Sequence, residues 1–408
     1  ELGHTVTVVA PRHPKQIPDR NVIRLRSAAY RPQPEQYAAF PPSLRKVLEF
    51  RRRKFDVIHT HGLGMPVIAL GVARFLGVPV VHTYHTRVRD YVHYAPMYAT
   101  ISWLVDDERW YARSSQLSRR VSNALHQRLE TSTQGLAARV DTWFCNRCLE
   151  VISPAAPIAD ELLEMGVRTP ITVIPNGINL ATLTAPGLDP FHAHGVPIGA
   201  RRLLTVSRLG KEKSIDLLLE RFALIRASLP AAHLIVVGDG PERAALEQYA
   251  AELSIRDAVT FTGYVSSAVI GHYYQHAEVF VFASVSETQG LVALEAAACG
   301  LPVVARGEMG VIECVVDGQT GYLVDKDDAP AFAARTLELL RDPDLHAKFS
   351  AASASFAALE GSHVTMTRRV LEVYARAMLL FRGWDELTLP DAINLARGQF
   401  DEDLERLK

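Results

Sequence analysis

Short apolar runs, many of them rich in β-branched residues, recur along this chain with stretches of helical character between them. In the first half they fall at Thr5–Ala10, Asp56–Thr60, Pro79–Thr83, Leu149–Ser153 and Ile171–Pro175. In the second they fall at Leu203–Ser207, His233–Gly238, Ala258–Thr262, Glu278–Ala283, Pro302–Ala305 and Gly321–Val324. Strands that are near-continuously apolar, rather than alternating, predict burial on both faces. That means parallel sheets with helices above and below. Two successive sets predict an α/β chain of two doubly wound domains. The stretch Leu183 to Gly199 carries Pro186, Gly187, Pro190, Gly195, Pro197 and Gly199 and reads as a linker. The expected division is a first domain over 1–182, a linker over 183–199, a second domain over 200–365, and C-terminal helices over 366–408 that partly return to the first domain. The opening Gly3-His4-Thr5-Val6 reads as a helix end, a glycine stop and a second strand. The first strand of a doubly wound domain and its glycine-rich turn are therefore expected to be missing, and the N-terminus reads as truncated.

One segment combines strand, turn and helix with charge. After the run Val279-Phe280-Val281-Phe282 comes Glu287-Thr288-Gln289-Gly290-Leu291-Val292-Ala293-Leu294-Glu295, then the small-residue stretch Ala296-Ala297-Ala298. A buried parallel strand is expected to end near Ala283. A loop then carries Glu287, and a helix opens near Gly290 and carries Glu295 about one turn in. The free N–H groups of such a helix point at the carboxyl end of the sheet, where α/β folds bind ligands. A phosphate there would meet backbone donors, with a carboxylate on each side to grip sugar hydroxyls.

Four further turns are expected at strand carboxyl ends of the same crevice: Ile174-Pro175-Asn176-Gly177, Val206-Ser207-Arg208-Leu209-Gly210-Lys211-Glu212-Lys213, Val237-Gly238-Asp239-Gly240 and Phe261-Thr262-Gly263-Tyr264-Val265. Arg208 and Lys213 supply a planar donor fork and a point charge, a pair suited to a diphosphate.

Composition narrows the classes. At 408 residues the chain can bury two sizeable cores. No stretch reaches the ~18 uninterrupted apolar residues of a membrane span. The nearest, Val67 to Val81, is broken by Arg74 and Pro79. The N-terminal residues do not have the pattern of a signal peptide. Cys145 and Cys148 form a lone C-x2-C with no second pair, so reduced thiols and a cytosolic setting are expected. The formal net charge of −1 conceals an imbalance: residues 1–180 hold 23 Lys and Arg against 15 Asp and Glu, while the remainder holds 21 against 30. A basic half suits an anionic surface, and complementary pairing of the two domains is the plainer reading.

In their order, these motifs resemble the retaining glycosyltransferases of family 4, over nearly the whole chain from Gly3 to about Leu380. The resemblance implies the GT-B architecture, two Rossmann-like domains facing a central cleft. By it Arg208 and Lys213 would hold the donor diphosphate, Glu287 the transferred sugar and Glu295 the ribose hydroxyls. Thr288 and Gln289 would line the donor site, and Gly290 and Leu291 would offer backbone N–H groups. Gly263, Tyr264 and Val265 would lie against the nucleobase. No essential metal or other cofactor is implied, and no Asp-x-Asp pair is placed to hold a metal.

In the first half, Asp56-Val57-Ile58-His59-Thr60-His61, Val80-Val81-His82-Thr83-Tyr84-His85-Thr86 and Asp90-Tyr91-Val92-His93-Tyr94 are similar to segments of the bacterial diacylglycerol glucosyltransferases. That similarity would set His85 near the anomeric centre, with His61, Tyr91 and His93 on the acceptor side. His59, His61 and His93 also raise the idea of a metal cluster, but substrate hydrogen bonding and local packing are favoured.

The resulting expectation is a retaining hexosyltransferase at the inner face of the cell membrane. It would move glucose from UDP-glucose onto diacylglycerol, with no nucleic-acid partner. Its docking face on an anionic membrane would include Arg51–Lys54 and the stripe Leu117, Val121, Leu125 and Leu129 flanked by Arg119, Arg120 and Arg128. Trp103, Trp110 and Tyr111 just upstream suit a headgroup region. The alternatives are a lipid mannosyltransferase using GDP-mannose, for example on phosphatidylinositol, a UDP-GlcNAc 2-epimerase, and a non-catalytic nucleotide-sugar-binding protein.

Overall fold

The computed structural model describes residues 3–14, 19–30, 33–62, 66–85, 87, 135, 137–284 and 287–381. The chain divides into two units. The first takes the chain to Ser153, then Ala159–Thr172 and the chain from Val370 onward. The second takes Pro154–Ile158 and Val173–Arg369. Among the described residues no helix is long and apolar enough to cross a membrane.

The first unit opens with strand β1 (Val8–Pro11) parallel to β2 (Val22–Leu25), followed by an antiparallel pair, β3 (Ser27–Tyr30) and β4 (Gln33–Ala39). Sequence pattern misses β2, β3 and β4. Ser27-Ala28-Ala29 has little β-branching, and β4 carries a proline and polar residues, so neither has a strand's apolar signature. A four-stranded sheet follows in the order β5-β6-β7-β8, made of β5 (Ile58–His61), β6 (Val80–Thr83), β7 (Glu150–Ser153) and β8 (Ile171–Val173). The pairs β5–β6 and β6–β7 are parallel. Every residue of β6 and β7 is buried, as a sheet covered on both faces requires. Cys145 and Cys148 are buried free thiols, and burial raises the pKa of each.

The second unit is built on six strands: β9 (Arg201–Val206), β10 (Ala232–Val237), β11 (Val259–Gly263), β12 (Val279–Phe282), β13 (Val303–Arg306) and β14 (Gly321–Val324). All pairings are parallel and the order is β11-β10-β9-β12-β13-β14. Side chains alternate between two cores, as the two-residue period of a strand dictates. Leu203, Val236 and Val281 pack with Leu219, Phe222 and Phe332 on one face. Leu204, Ile235 and Phe280 pack with Tyr274, Leu294 and Ala297 on the other. The segment 183–199 packs on this unit: Phe191 and Val196 are buried in the second of those cores. The strand order reverses between β9 and β12, so their carboxyl ends lie side by side with connections departing to opposite faces. Such a reversal opens a crevice in a doubly wound sheet.

Candidate active site

The loop after β9 is shaped by close backbone approach. Ser207 N–H donates to Val237 O at 3.0 Å, and Leu209 N–H donates to Asp239 O at 3.0 Å. Gly238 sits at φ +133°, and a Cβ there would fall 1.8 Å from Ser207 O. A Cβ on Gly240 would fall 2.3 Å from Leu209 O. Only glycine admits this approach, and it locks the backbone that carries Arg208. Lys213 closes a short 3-10 turn, Lys211–Lys213, ahead of the helix Ile215–Ser228.

Both cations at this end are paired with carboxylates. Lys213 Nζ donates to Glu287 across the β9–β12 junction, with both side chains mostly buried. Arg208 donates to Glu212, whose side chain is 6% exposed. Gly210 leaves room for that carboxylate, since a Cβ there would lie 2.3 Å from it. Burial acts to raise the Glu212 pKa. Hydrogen bonds from its own backbone N–H and from Arg208 outweigh this, and the net shift is downward.

The loop bearing Glu287 is clamped on two sides. Gln289 is buried, and its side-chain oxygen accepts from Asn176 N and Nδ2, both at 2.7 Å, while its Nε2 donates to Asn176 O at 3.1 Å. That side chain is therefore turned to the Pro175-Asn176-Gly177 turn. On the other side Gly310 N–H donates to Glu287 O at 3.0 Å, and a Cβ on Gly310 would lie 2.1 Å from Thr288 O. Gly290, at φ +80°, caps the helix Leu291–Ala298. Ala293 N–H is bonded to Gly290 O, and the N–H groups of Leu291 and Val292 belong to the first turn, where helix donors have no intrahelical partner. Glu295, one turn on, accepts from Tyr274 O–H at 2.8 Å. Burial raises its pKa.

The structure thus gathers Arg208, Lys213, Glu287, Gln289, Gly290 and Leu291 at the reversal point. The turn Gly263-Tyr264-Val265 ends β11, two strands away from β9. It is tied in by Gly238 N–H donating to Gly263 O at 3.0 Å, and Tyr264 stands 82% exposed. Sequence reading missed Glu212 and Tyr274 as partners and gave Asn176 only a place in a turn. The neighbour of a short strand-end charge could have been suspected for Glu212. For Tyr274 no local signal exists.

In the first unit, His59, His61, His82 and His85 cluster at the ends of β5 and β6. His61 Nδ1 and His85 Nε2 share a hydrogen bond of 2.9 Å. His82 Nδ1 lies 2.9 Å from Thr60 Oγ1. Among the described residues no three His, Cys, Asp or Glu are grouped to hold a metal ion. Tyr91 and His93, the stripe from Leu117 to Leu129, and Trp103, Trp110 and Tyr111 lie outside the described residues.

Burial, followed by the neighbouring rings, holds His59 far below the ordinary imidazole range and brings His85 to about 4. Burial also brings His82 to about 4, against the opposing pull of its bond to Thr60 O. Below the unfolded imidazole pKa of about 6.5 the unfolded chain binds protons that the folded one does not, so stability falls with pH. The melting temperature of the first unit is expected to hold above pH 7 and drop between about pH 6.5 and 4. His82→Asn should shrink the drop. Calorimetric melts checked across that range should show it, and a parent whose melting point is flat to about pH 4.5 contradicts it.

Comparison with known proteins places the chain in a family. The family model "Glycosyltransferase Family 4" matches residues 1–182 and "Glycosyl transferases group 1" matches 191–356. The chain is 29% identical to alpha-monoglucosyldiacylglycerol synthase of Streptococcus pneumoniae, over 96% of this chain and 83% of that protein. It is 31% identical to D-inositol 3-phosphate glycosyltransferase of Thermobispora bispora, over 82% of this chain and 74% of that protein. Anabaena HepE, solved with UDP and glucose, shares the fold with a TM-score of 0.63 at 20% identity, covering 81% of each chain. Family models over both halves, a relative above 30% identity and a doubly wound sheet with its charged residues at the reversal point all converge: this chain belongs to the family 4, group 1 glycosyltransferases and is a glycosyltransferase of the GT-B type.

Proposed function

We propose that the chain transfers glucose from UDP-glucose to the free hydroxyl of diacylglycerol with retention at the anomeric carbon. The observation that carries this reading is the Lys213–Glu287 pair beside the helix start at Gly290. A cation, a carboxylate and backbone donors meet there, which is the set needed to hold a sugar diphosphate. Arg208, Lys213 and the Leu291 N–H stabilise the diphosphate as the bond from C1 to the phosphate oxygen breaks. The acceptor oxygen bonds to C1 from the same face, and its proton passes to the departing phosphate oxygen. Two side-chain cations and a helix end neutralise the leaving group, so the reaction needs no metal. Glu287 and His85 hold the sugar, Glu295 the ribose and the Gly263–Val265 turn the nucleobase. Thr288 and Gln289 shape the donor loop, with Gln289 acting through Asn176. His61 belongs to the acceptor side, where we also place Tyr91 and His93. The domain division read from sequence, with a linker over 183–199, stands as part of this proposal.

The choice of donor and acceptor draws on the name of the Streptococcus relative and on the UDP and glucose bound in HepE. It draws too on a candidate membrane face in the first unit. On the helix Leu44–Arg53, Leu44 and Leu48 are 71% and 43% exposed, and Phe40 just before it is 52% exposed. Arg51 and Arg52 follow at helical three- and four-residue spacing, while Phe50 on the opposite side is buried. Exposed apolar residues flanked by arginines suit an anionic bilayer, where each basic residue contributes about 1 kcal/mol. We therefore place the protein peripherally at the inner face of the cell membrane.

The test is incubation with labelled UDP-glucose or GDP-mannose, with diacylglycerol in anionic vesicles, phosphatidylinositol in vesicles, or soluble inositol phosphate. α-Glucosyldiacylglycerol is the expected product. Product only from GDP-mannose, or only on inositol phosphate, overturns the assignment. Combined Leu44→Glu, Leu48→Glu, Arg51→Glu and Arg52→Glu should abolish vesicle sedimentation and activity on vesicles, and spare activity on detergent-dispersed acceptor. Parental sedimentation of that variant would rule the helix out as the docking face.

A further inference from the structure

The imidazoles at the ends of β5 and β6 form an ordered stack with a fixed base. His59 has both ring nitrogens occupied: Nε2 lies 2.7 Å from Thr83 Oγ1, and Nδ1 lies 2.6 Å from Tyr374 O–H. Tyr374 comes from the C-terminal helix His363–Phe381 and also meets the His59 ring edge-on, with centroids 5.4 Å apart at 86°. A ring bonded through both nitrogens and braced by an aromatic edge cannot turn without breaking two hydrogen bonds. The His61 ring lies over it at 4.1 Å between centroids, and the His85 ring follows at 5.1 Å and 17°, nearly parallel. The last two rings share the 2.9 Å bond from Nδ1 of His61 to Nε2 of His85.

We propose that His61, seated on the His59–Tyr374 base, is the positioning residue that fixes the ring orientation and tautomer of His85. This rests on the reading that His85 contacts the transferred sugar. A neutral imidazole has one donor and one acceptor nitrogen. The shared hydrogen bond therefore couples the tautomers of the two rings. If His61 Nδ1 donates, His85 carries its proton on Nδ1. If His85 Nε2 donates, its Nδ1 is an acceptor. Either way the character of the second nitrogen of His85 is set by His61, and the stacked geometry holds its direction. The low pKa of His85 keeps the ring neutral at working pH, which leaves one exchangeable ring proton to be placed. His61 is exposed, so changing it should not unfold the protein.

The decisive measurement is the pair of ring 15N shifts of His85, assigned by their loss in His85→Ala. The parent should show one dominant tautomer, and His61→Phe, which keeps a stacking ring but no hydrogen bond, should move both nitrogens toward averaged values. Turnover of His61→Phe should fall about tenfold or more, with donor KM changed far less, as a mispositioned group near the reacting atoms produces. His61→Gln, which restores a hydrogen-bonding partner, should recover much of the loss. Tyr374→Phe should shift the same nitrogens by a smaller amount. Unchanged His85 shifts in His61→Phe overturn the proposal. Parental turnover in His85→Ala would instead overturn the sugar-contact reading, and the shifts would still decide whether His61 governs the ring.

Discussion

Arg208→Ala is expected to lower glycosyl transfer by at least ~100-fold, the scale of one lost transition-state donor. The expectation follows from where the guanidinium sits. Arg208 leaves the carboxyl end of β9 on a backbone held by the Gly238 and Gly240 contacts, so its position is set by the sheet. Its loss should also cost some stability, without unfolding the protein. Its side chain is 36% exposed, but Glu212, its ion partner four residues on, is 6% exposed. Removing the guanidinium deprives a nearly buried carboxylate of a partner, a loss of about 1–3 kcal/mol. Glu212 keeps its own backbone hydrogen bond, so it retains a donor without the arginine. The melting temperature should therefore fall modestly while turnover collapses. Turnover with UDP-glucose, measured beside a thermal melt, checks both halves. Near-parental turnover would remove Arg208 from the diphosphate site. Arg208→Lys should recover only part of the activity, because a point charge does not replace a two-pronged donor on a diphosphate.

The parts of this site legible in sequence share one cause. Strands such as Val279–Phe282 and Ala232–Val237 are buried on every residue, so they appear as near-continuous apolar runs, interrupted only by His233, and their carboxyl ends can be located within a residue or two. Whatever chemistry follows such a run is then placed at the ligand end of the sheet. That logic found Arg208, Lys213, Glu287 and Gly290 without any knowledge of pairing. It failed where the partner is remote. Gln289 looks like a donor contact in the sequence, yet its amide meets Asn176, 113 residues earlier. Tyr374 lies 315 residues from His59, and nothing local in a charged amphipathic helix marks it as the base of an imidazole stack. The β3–β4 pair escaped for a different reason: its stability comes from hydrogen-bonded pairing of residues with poor strand propensity.

The two glutamates of the helix-start segment should separate cleanly by what they do to UDP. Glu287 is paired with Lys213, a residue assigned to the diphosphate. Glu287→Gln removes the competing carboxylate charge from that lysine. UDP affinity should then hold or increase, while transfer falls about 100-fold because the sugar loses a partner near its reacting carbon. Glu295 behaves in the opposite way. Its Oε2 accepts from Tyr274 O–H, which leaves its other oxygen for a ribose hydroxyl. Glu295→Ala would confuse the result, since it strands the hydroxyl of fully buried Tyr274, a loss of about 1–3 kcal/mol in stability. Glu295→Gln keeps an acceptor for Tyr274 and removes only the charge. That variant should melt near the parent, bind UDP about tenfold more weakly, a loss of about 1.4 kcal/mol, and retain most of its turnover at saturating donor. Calorimetric titration with UDP and a saturating turnover assay on both glutamine variants decide between the roles. If Glu287→Gln binds UDP as weakly as Glu295→Gln does, Glu287 is not competing with the phosphate for Lys213. The pair seen between Lys213 and Glu287 would then be part of the fold and not a site waiting for its anion.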